Sequence, residues 1–183
     1  MTSRSNFSLA AFVFAALAGA GTLLLFGASL PAQAAEASEL QQALEAAMND
    51  AARPASDKGR DKNRKPIETL EFFGLQEDMR VVEQLPGGGW YTRLLASVLR
   101  ERGELFVALG TSGVEKRLLG TDGFDKVEVL AKNTKFERQG GLVNIESLDL
   151  GVKRVDMVLT FRNLHNFDPS SRGLMNEAVF TAL

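Results

Sequence analysis

Residues 79–109 constrain this chain more than any other stretch. Residues 79–85 (Met-Arg-Val-Val-Glu-Gln-Leu) read as a short buried strand, and Pro86-Gly87-Gly88-Gly89 follows at once. Behind the glycines Tyr91, Leu94, Leu95, Val98 and Leu99 recur at helical spacing on one face, with Arg93, Arg100, Glu101 and Arg102 turned elsewhere. Gly103 stops that helix, and residues 105–109 form a second apolar strand. Strand, turn, helix and strand thus fit into about thirty residues, the size of a βαβ unit. A crossover of this kind forces the two strands to run parallel, so the fold class is α/β.

The flanking sequence supplies further elements. Residues 39–48 (Glu-Leu-Gln-Gln-Ala-Leu-Glu-Ala-Ala-Met) are strong helix formers with Leu40, Leu44 and Met48 on one face. Residues 53–65 are polar and highly charged, punctuated by Pro54, Gly59 and Pro66, which predicts a surface loop. Residues 67–73 predict a helix closed by Gly74. Later, 113–119 reads as a short helix, 126–130 as a third strand and 155–161 as a fourth, apolar on both faces after Asp156. Asp168-Pro169 opens a last helix over 170–183 by the cap-then-proline rule.

The amino terminus has a different character. Arg4 is the only charge before Glu36, and 9–30 is an uninterrupted apolar run that ends at Pro31. Ala32-Gln33-Ala34 then places small residues where a signal peptidase requires them, so residues 1–34 are expected to be a signal peptide cleaved after Ala34. The alternative is an uncleaved membrane anchor, since about 20 apolar residues span a bilayer. The first reading makes the protein exported, periplasmic or extracellular. The roughly 150 residues that remain can bury a core without disulfides, and they divide into a helix and charged loop over 35–66 and a domain over 67–183. The chain has no Cys, which excludes a thiolate nucleophile, iron–sulfur ligation and Cys-type zinc. Its 21 Lys+Arg against 23 Asp+Glu give a net charge of -2, with no basic surplus for binding nucleic acid. No metal site is expected.

Three glycines between a buried strand and a helix let a ligand approach backbone closely. A phosphate-binding P-loop fails because no Lys-Ser or Lys-Thr pair follows. The dinucleotide pattern G-x-G-x-x-G is met at Gly87 and Gly89 but has Thr92 in third place, and Val107-Ala108-Leu109-Gly110 carries no acid. In a third version, acid-x-G-x-G-x-G, Glu83 closes the strand, Leu85 occupies the first glycine place, and Gly87 and Gly89 supply the others. A tight strand-to-helix turn without ligand is the plain alternative.

Three blocks carry a more specific likeness: residues 82–92 (Val-Glu-Gln-Leu-Pro-Gly-Gly-Gly-Trp-Tyr-Thr), 64–74 (Arg-Lys-Pro-Ile-Glu-Thr-Leu-Glu-Phe-Phe-Gly) and 159–166 (Leu-Thr-Phe-Arg-Asn-Leu-His-Asn). In this order and at these separations the chain resembles the class I S-adenosylmethionine-dependent methyltransferases, and more closely a group of predicted methyltransferases with signal peptides. The resemblance implies a Rossmann-like parallel sheet with helices on both faces and S-adenosylmethionine beside the first strand. It assigns Glu83, Pro86, Gly87, Gly88 and Gly89 to the loop that holds the cofactor, and Trp90, Tyr91 and Thr92 to its exit. The acid that usually holds the ribose at the end of strand two is missing, where Leu109 and Gly110 stand. Asp61, Arg64 and Glu68, near or in the upstream block, are explained equally well by surface charge pairing.

Arg162, Asn163, His165 and Asn166 follow the fourth strand at its carboxyl end, where open α/β sheets place ligands. His165, the only histidine, suits a general base; Arg162 suits an anionic substrate; the two asparagines suit its orientation. The same residues also suit a backbone turn before Pro169. A small-molecule acceptor is the expected partner. The resemblance implies three more strands, whereas the chain ends at Leu183, so the expected sheet has about four strands in the order 3-2-1-4 and is incomplete. Its apolar edge at 155–161 then invites self-association. A non-catalytic nucleoside-binding module and an inactive truncated relative stand beside the methyltransferase reading.

Overall fold

The computed structural model describes residues 38–183, all within one compact unit, Glu36–Leu183. The expected signal segment 1–34 and the alternative anchor 9–30 lie outside the described residues. No helix among those described is long and apolar enough to cross a membrane.

The elements in chain order are α1 (Glu39–Asn49), α2 (Ala55–Arg64), α3 (Pro66–Phe72), β1 (Arg80–Gln84), α4 (Trp90–Leu99), β2 (Glu104–Ala108), α5 (Ser112–Arg117), β3 (Glu128–Leu130), β4 (Glu137–Gln139), β5 (Leu142–Asn144), β6 (Met157–Thr160) and α6 (Pro169–Ala182). A single 3-10 turn, Leu164–Asn166, links β6 to α6. Four strands form one parallel sheet in the order β3-β2-β1-β6, the 3-2-1-4 arrangement expected for the βαβ unit and its neighbours. The register places Val81 beside Leu105 and Met157, and Glu83 beside Val107 and Leu159.

Strand alternation sends successive β1 side chains to opposite faces. Val81 joins a layer with Leu44, Leu70, Leu94, Leu95 and Leu99, contributed by α1, α3 and α4. Val82 faces the other way, into a layer with Phe106, Phe167, Met175 and Ala178, covered by α6. The result is an α/β, Rossmann-like parallel sheet with helices on both faces. Full burial of each such aliphatic side chain contributes about 1.5–3 kcal/mol, enough to set which face of each helix turns inward. The helix boundaries follow their caps: Ser38 accepts from the Gln41 amide, and Asp168 accepts from the Ser170 and Ser171 amides ahead of Pro169.

Two features depart from the sequence expectation. The charged stretch 53–65 is a helix, α2, although it buries no residue of its own. Its first turn carries Asp57 and its last Lys62 and Arg64, which complements the helix dipole. Polar contacts then anchor it: the buried Arg53 guanidinium holds Asp61 in a two-pronged pair at 2.7 and 2.8 Å, and Arg93 pairs with Asp57 at 3.2 Å. The second departure is a small antiparallel hairpin, β4 with β5, turned by Gly140 and Gly141 at φ 60 and 85. Two consecutive left-handed residues are what a two-residue hairpin turn demands. β6 lies at one edge of the sheet, so its apolar sequence reflects two covered faces and not two paired neighbours.

If the Arg53–Asp61 pair fixes α2, Arg53→Ala should free that helix without unfolding the sheet. Loss of charge-assisted bonds worth about 2 kcal/mol predicts amide exchange across 55–64 accelerated roughly tenfold or more, with β1 and β2 unchanged. Hydrogen exchange read by mass spectrometry measures both regions in one experiment.

Candidate functional site

The chain enters the sheet through β1, fills one side with β2 and β3, and returns on the other side with β6. The carboxyl ends of β1 and β6 therefore flank the point where strand order reverses, which is where open α/β sheets bind ligands. At this edge the backbone leaves every strand of the sheet through a left-handed residue: Leu85 (φ 58) after β1, Leu109 (φ 61) after β2, Ala131 (φ 51) after β3 and Arg162 (φ 61) two residues after β6. A non-glycine residue there costs about 1–2 kcal/mol. Leu85 adopts the left-handed conformation expected of the glycine whose place it takes in the acid-x-G-x-G-x-G pattern.

Gly87 (φ 57) and Gly89 (φ 83) continue the turn. A Cβ on Gly87 would meet nothing within 4 Å among the described residues, which leaves open space over it. Gly89 instead faces α5: a Cβ there would stand 2.5 Å from a Leu118 methyl. Gly113 of α5 was not singled out by sequence, yet its missing side chain is what lets α5 support the turn. A Cβ on it would fall 2.2 Å from the Gly87 carbonyl oxygen. The Gly89 amide donates to the Pro86 carbonyl at 3.0 Å, while the Gly87 and Gly88 amides donate to no backbone carbonyl among the described residues.

Beside the turn, Glu83 is 2% exposed. Thr92 Oγ1 donates to its carboxylate at 2.6 Å, which joins β1 to α4 behind the glycines. Burial pushes the Glu83 carboxyl up to about 7, against the opposing pull of the Thr92 hydrogen bond and the Arg64 charge. A cavity of about 240 Å³ opens above it, lined by Glu83, Gly87, Gly88, Tyr91 and Asn163, with Arg60 and Arg64 of α2 on the far side. Trp90 Nε1 donates to the Asp57 carbonyl at 2.9 Å, and the Arg64 guanidinium lies 4.6 Å from the Trp90 ring centre. Tyr91 stacks on Phe161 with centroids 3.6 Å apart and planes 12° apart. The helix expected to be a loop is thus one wall of the site.

The structure separates the residues singled out by sequence. Glu83, Pro86, Gly87, Gly88, Trp90, Tyr91 and Asn163 all line this first cavity. Gly89 is turned toward α5, and Thr92 is fully buried with its hydroxyl committed to Glu83. The polar residues after β6 do not form one cluster. Arg162 and His165 line a second cavity of about 510 Å³ with Arg60, Asn63 and Arg64. Asn166 faces a third of about 540 Å³, beside Gly110, Phe136 and Arg138. Asn163 borders the first and third, and its amide nitrogen donates to the Leu85 and Phe161 carbonyls at 3.2 and 3.0 Å. A larger hollow, about 680 Å³ between 147–153 and α6, is remote from the strand ends that carry the glycine turn. Among the described residues no group of three His, Asp or Glu side chains is placed to hold a metal.

No family model matches the chain, and no curated protein matches it. Among solved structures it is similar to a SAM-dependent methyltransferase from Aquifex aeolicus, with 22% identity and a TM-score of 0.43; the match covers 71% of this chain. The chain spans 66% of the length of that protein.

Glu83 makes a sign-definite prediction. An acid whose carboxyl is raised from 4.5 to about 7 on folding favours the folded state fully below pH 4.5, loses that advantage between pH 4.5 and 7, and costs about 3 kcal/mol above. Glu83→Gln keeps an acceptor for Thr92 and removes the titration. Urea unfolding at pH 4.5 and pH 8 should show the variant gaining about 3 kcal/mol on the wild type between the two. An unchanged difference would mean that Glu83 does not titrate in this range.

Proposed function

We propose that the chain binds S-adenosylmethionine in the cleft above the glycine turn and transfers its methyl group to a small-molecule acceptor. The observation that carries this reading is the buried Glu83 carboxylate at the switch point, beside a left-handed glycine turn whose Gly87 and Gly88 amides have no backbone partner among the described residues. A carboxylate held out of water, with its carboxyl raised to about 7, suits a ligand that brings its own positive charge. The ammonium of the cofactor's amino-acid end is such a charge. The open space over Gly87 suits close approach of a ligand to backbone. The fit is poorer at the ribose, because Leu109 and Gly110 stand where an acid would be expected.

When bound, the cofactor supplies an electrophilic methyl group on a sulfonium. In-line transfer from it depends mainly on position, so the protein's task is to hold two reactants in register and exclude water. Glu83 would hold the ammonium, and the Gly87 and Gly88 amides would donate to the carboxylate. Asn163 ties the Leu85 carbonyl to the Phe161 carbonyl and so locks the two sides of the cleft together. Arg60 and Arg64 close the cleft from α2. His165, exposed in the neighbouring cavity, is placed to take a proton from an acceptor that needs one removed.

A second reading, a nucleoside-binding module without transfer, draws support from the missing ribose acid. The signal-like segment 1–34 supports action outside the cytoplasm under either reading.

Calorimetric titration of S-adenosylmethionine and S-adenosylhomocysteine into the full chain tests the site before any acceptor is known. Saturable binding is expected. Gly87→Val, which fills the open space from a strained backbone, should abolish it. Glu83→Gln should weaken it by roughly 10- to 100-fold, the worth of one charge-assisted hydrogen bond. A folded wild-type protein that binds neither ligand would overturn the reading.

A further inference from the structure

The cavity next to the glycine cleft gathers three guanidiniums. Arg60 and Arg64 reach it from α2, and Arg162 from the segment after β6, alongside Asn63 and His165. None of the three guanidiniums has an ion-pair partner among the described residues. The nearby acids make their close contacts elsewhere, Asp57 with Arg93 at 3.2 Å, Asp61 with Arg53 at 2.7 Å and Glu83 with Thr92 at 2.6 Å, although Asp57 and Glu83 still act on Arg64 through space. Like charges converging on one hollow repel, and burial together with Arg60 and Arg162 draws the Arg64 guanidinium below its ordinary range. Arg162 reaches the cavity from a left-handed backbone, φ 61, a strained conformation of the kind that collects at ligand sites.

We propose that this cavity is an oxyanion site, and that the methyl acceptor carries a compact anionic group, phosphate or carboxylate, which Arg60, Arg64 and Arg162 hold. Guanidinium forks match the planar or tetrahedral array of such oxygens and bind them in pairs of parallel hydrogen bonds. The stacked Tyr91–Phe161 pair borders both this cavity and the cofactor cleft. An acceptor anchored by its anion therefore lies against an aromatic wall with its nucleophile directed along that wall toward the cleft. This assignment to an acceptor rests on the methyltransferase reading; the oxyanion site itself rests on the arginines alone.

The probe is phenyl phosphate, followed by phosphorus NMR on the full chain at low salt, with and without saturating S-adenosylhomocysteine. Saturable binding is expected in both conditions. The double variant Arg60→Gln/Arg162→Gln changes two exposed side chains and should leave the melting curve unchanged while weakening phenyl phosphate about tenfold or more. Absence of saturable binding by the folded wild type, or equal binding by the double variant, would overturn the proposal. Displacement of the probe by S-adenosylhomocysteine would also overturn it, because the arginines would then serve the cofactor's own carboxylate. Phenyl phosphate bound by a protein that ignores S-adenosylhomocysteine would uphold the oxyanion site and remove the methyltransferase reading.

Discussion

The hydrogen bond from Thr92 to the buried Glu83 carboxylate joins the central strand to the helix that follows it, across a turn of only a few residues. A carboxylate in the interior is costly unless it is bonded, neutralised or matched by a ligand. Here it is partly each: one hydroxyl donates to it, its carboxyl is raised to about 7, and a cavity lies open above it. β1 can afford such a residue because Val81 and Val82 are fully buried on opposite faces and β2 and β6 pair with both of its edges. The glycine turn, the start of α4 and the position of the cleft all follow from where that strand ends.

The wall opposite the glycines is built on another principle. α2 contributes nothing to the hydrophobic core and is held by charge and by aromatic faces: Asp61 on Arg53, Asp57 on Arg93, and Arg64 over Trp90. Such contacts are directional and weak individually. They position a helix that has no apolar face of its own. The same helix supplies Arg60 and Arg64 to two adjoining cavities, so its placement sets the electrostatic character of both.

Much of this was legible in the sequence where apolar periodicity and backbone chemistry act together. The β1–turn–α4–β2 unit shows itself through alternating burial, three glycines and a five-residue apolar face, and α6 through Asp168-Pro169. α2 did not show itself because Ala-Ser-Asp-Lys-Gly-Arg-Asp-Lys-Asn-Arg has no apolar stripe; its stability comes from partners distant in sequence, such as Arg93 and Trp90. The β4–β5 hairpin was hidden by strands of three residues with an exposed Glu-Arg-Gln face, although Gly140-Gly141 is a hairpin signal. Within the site, Glu83 lies in β1 and Gly87 in the left-handed turn behind it. The division of Arg162, Asn163, His165 and Asn166 among three cavities depends on a left-handed residue and a 3-10 turn that no spacing rule in a polar segment discloses.

The central claim is that the cleft between the glycine turn and α2 is the cofactor site. Ultraviolet cross-linking of radiolabelled S-adenosylmethionine to the full chain, with peptide mapping of the adduct, tests it most directly. The account predicts label confined to peptides containing 57–64 and 85–91, and lost when excess S-adenosylhomocysteine is present. Label distributed over the surface, or concentrated beside α6 and 147–153, would contradict it.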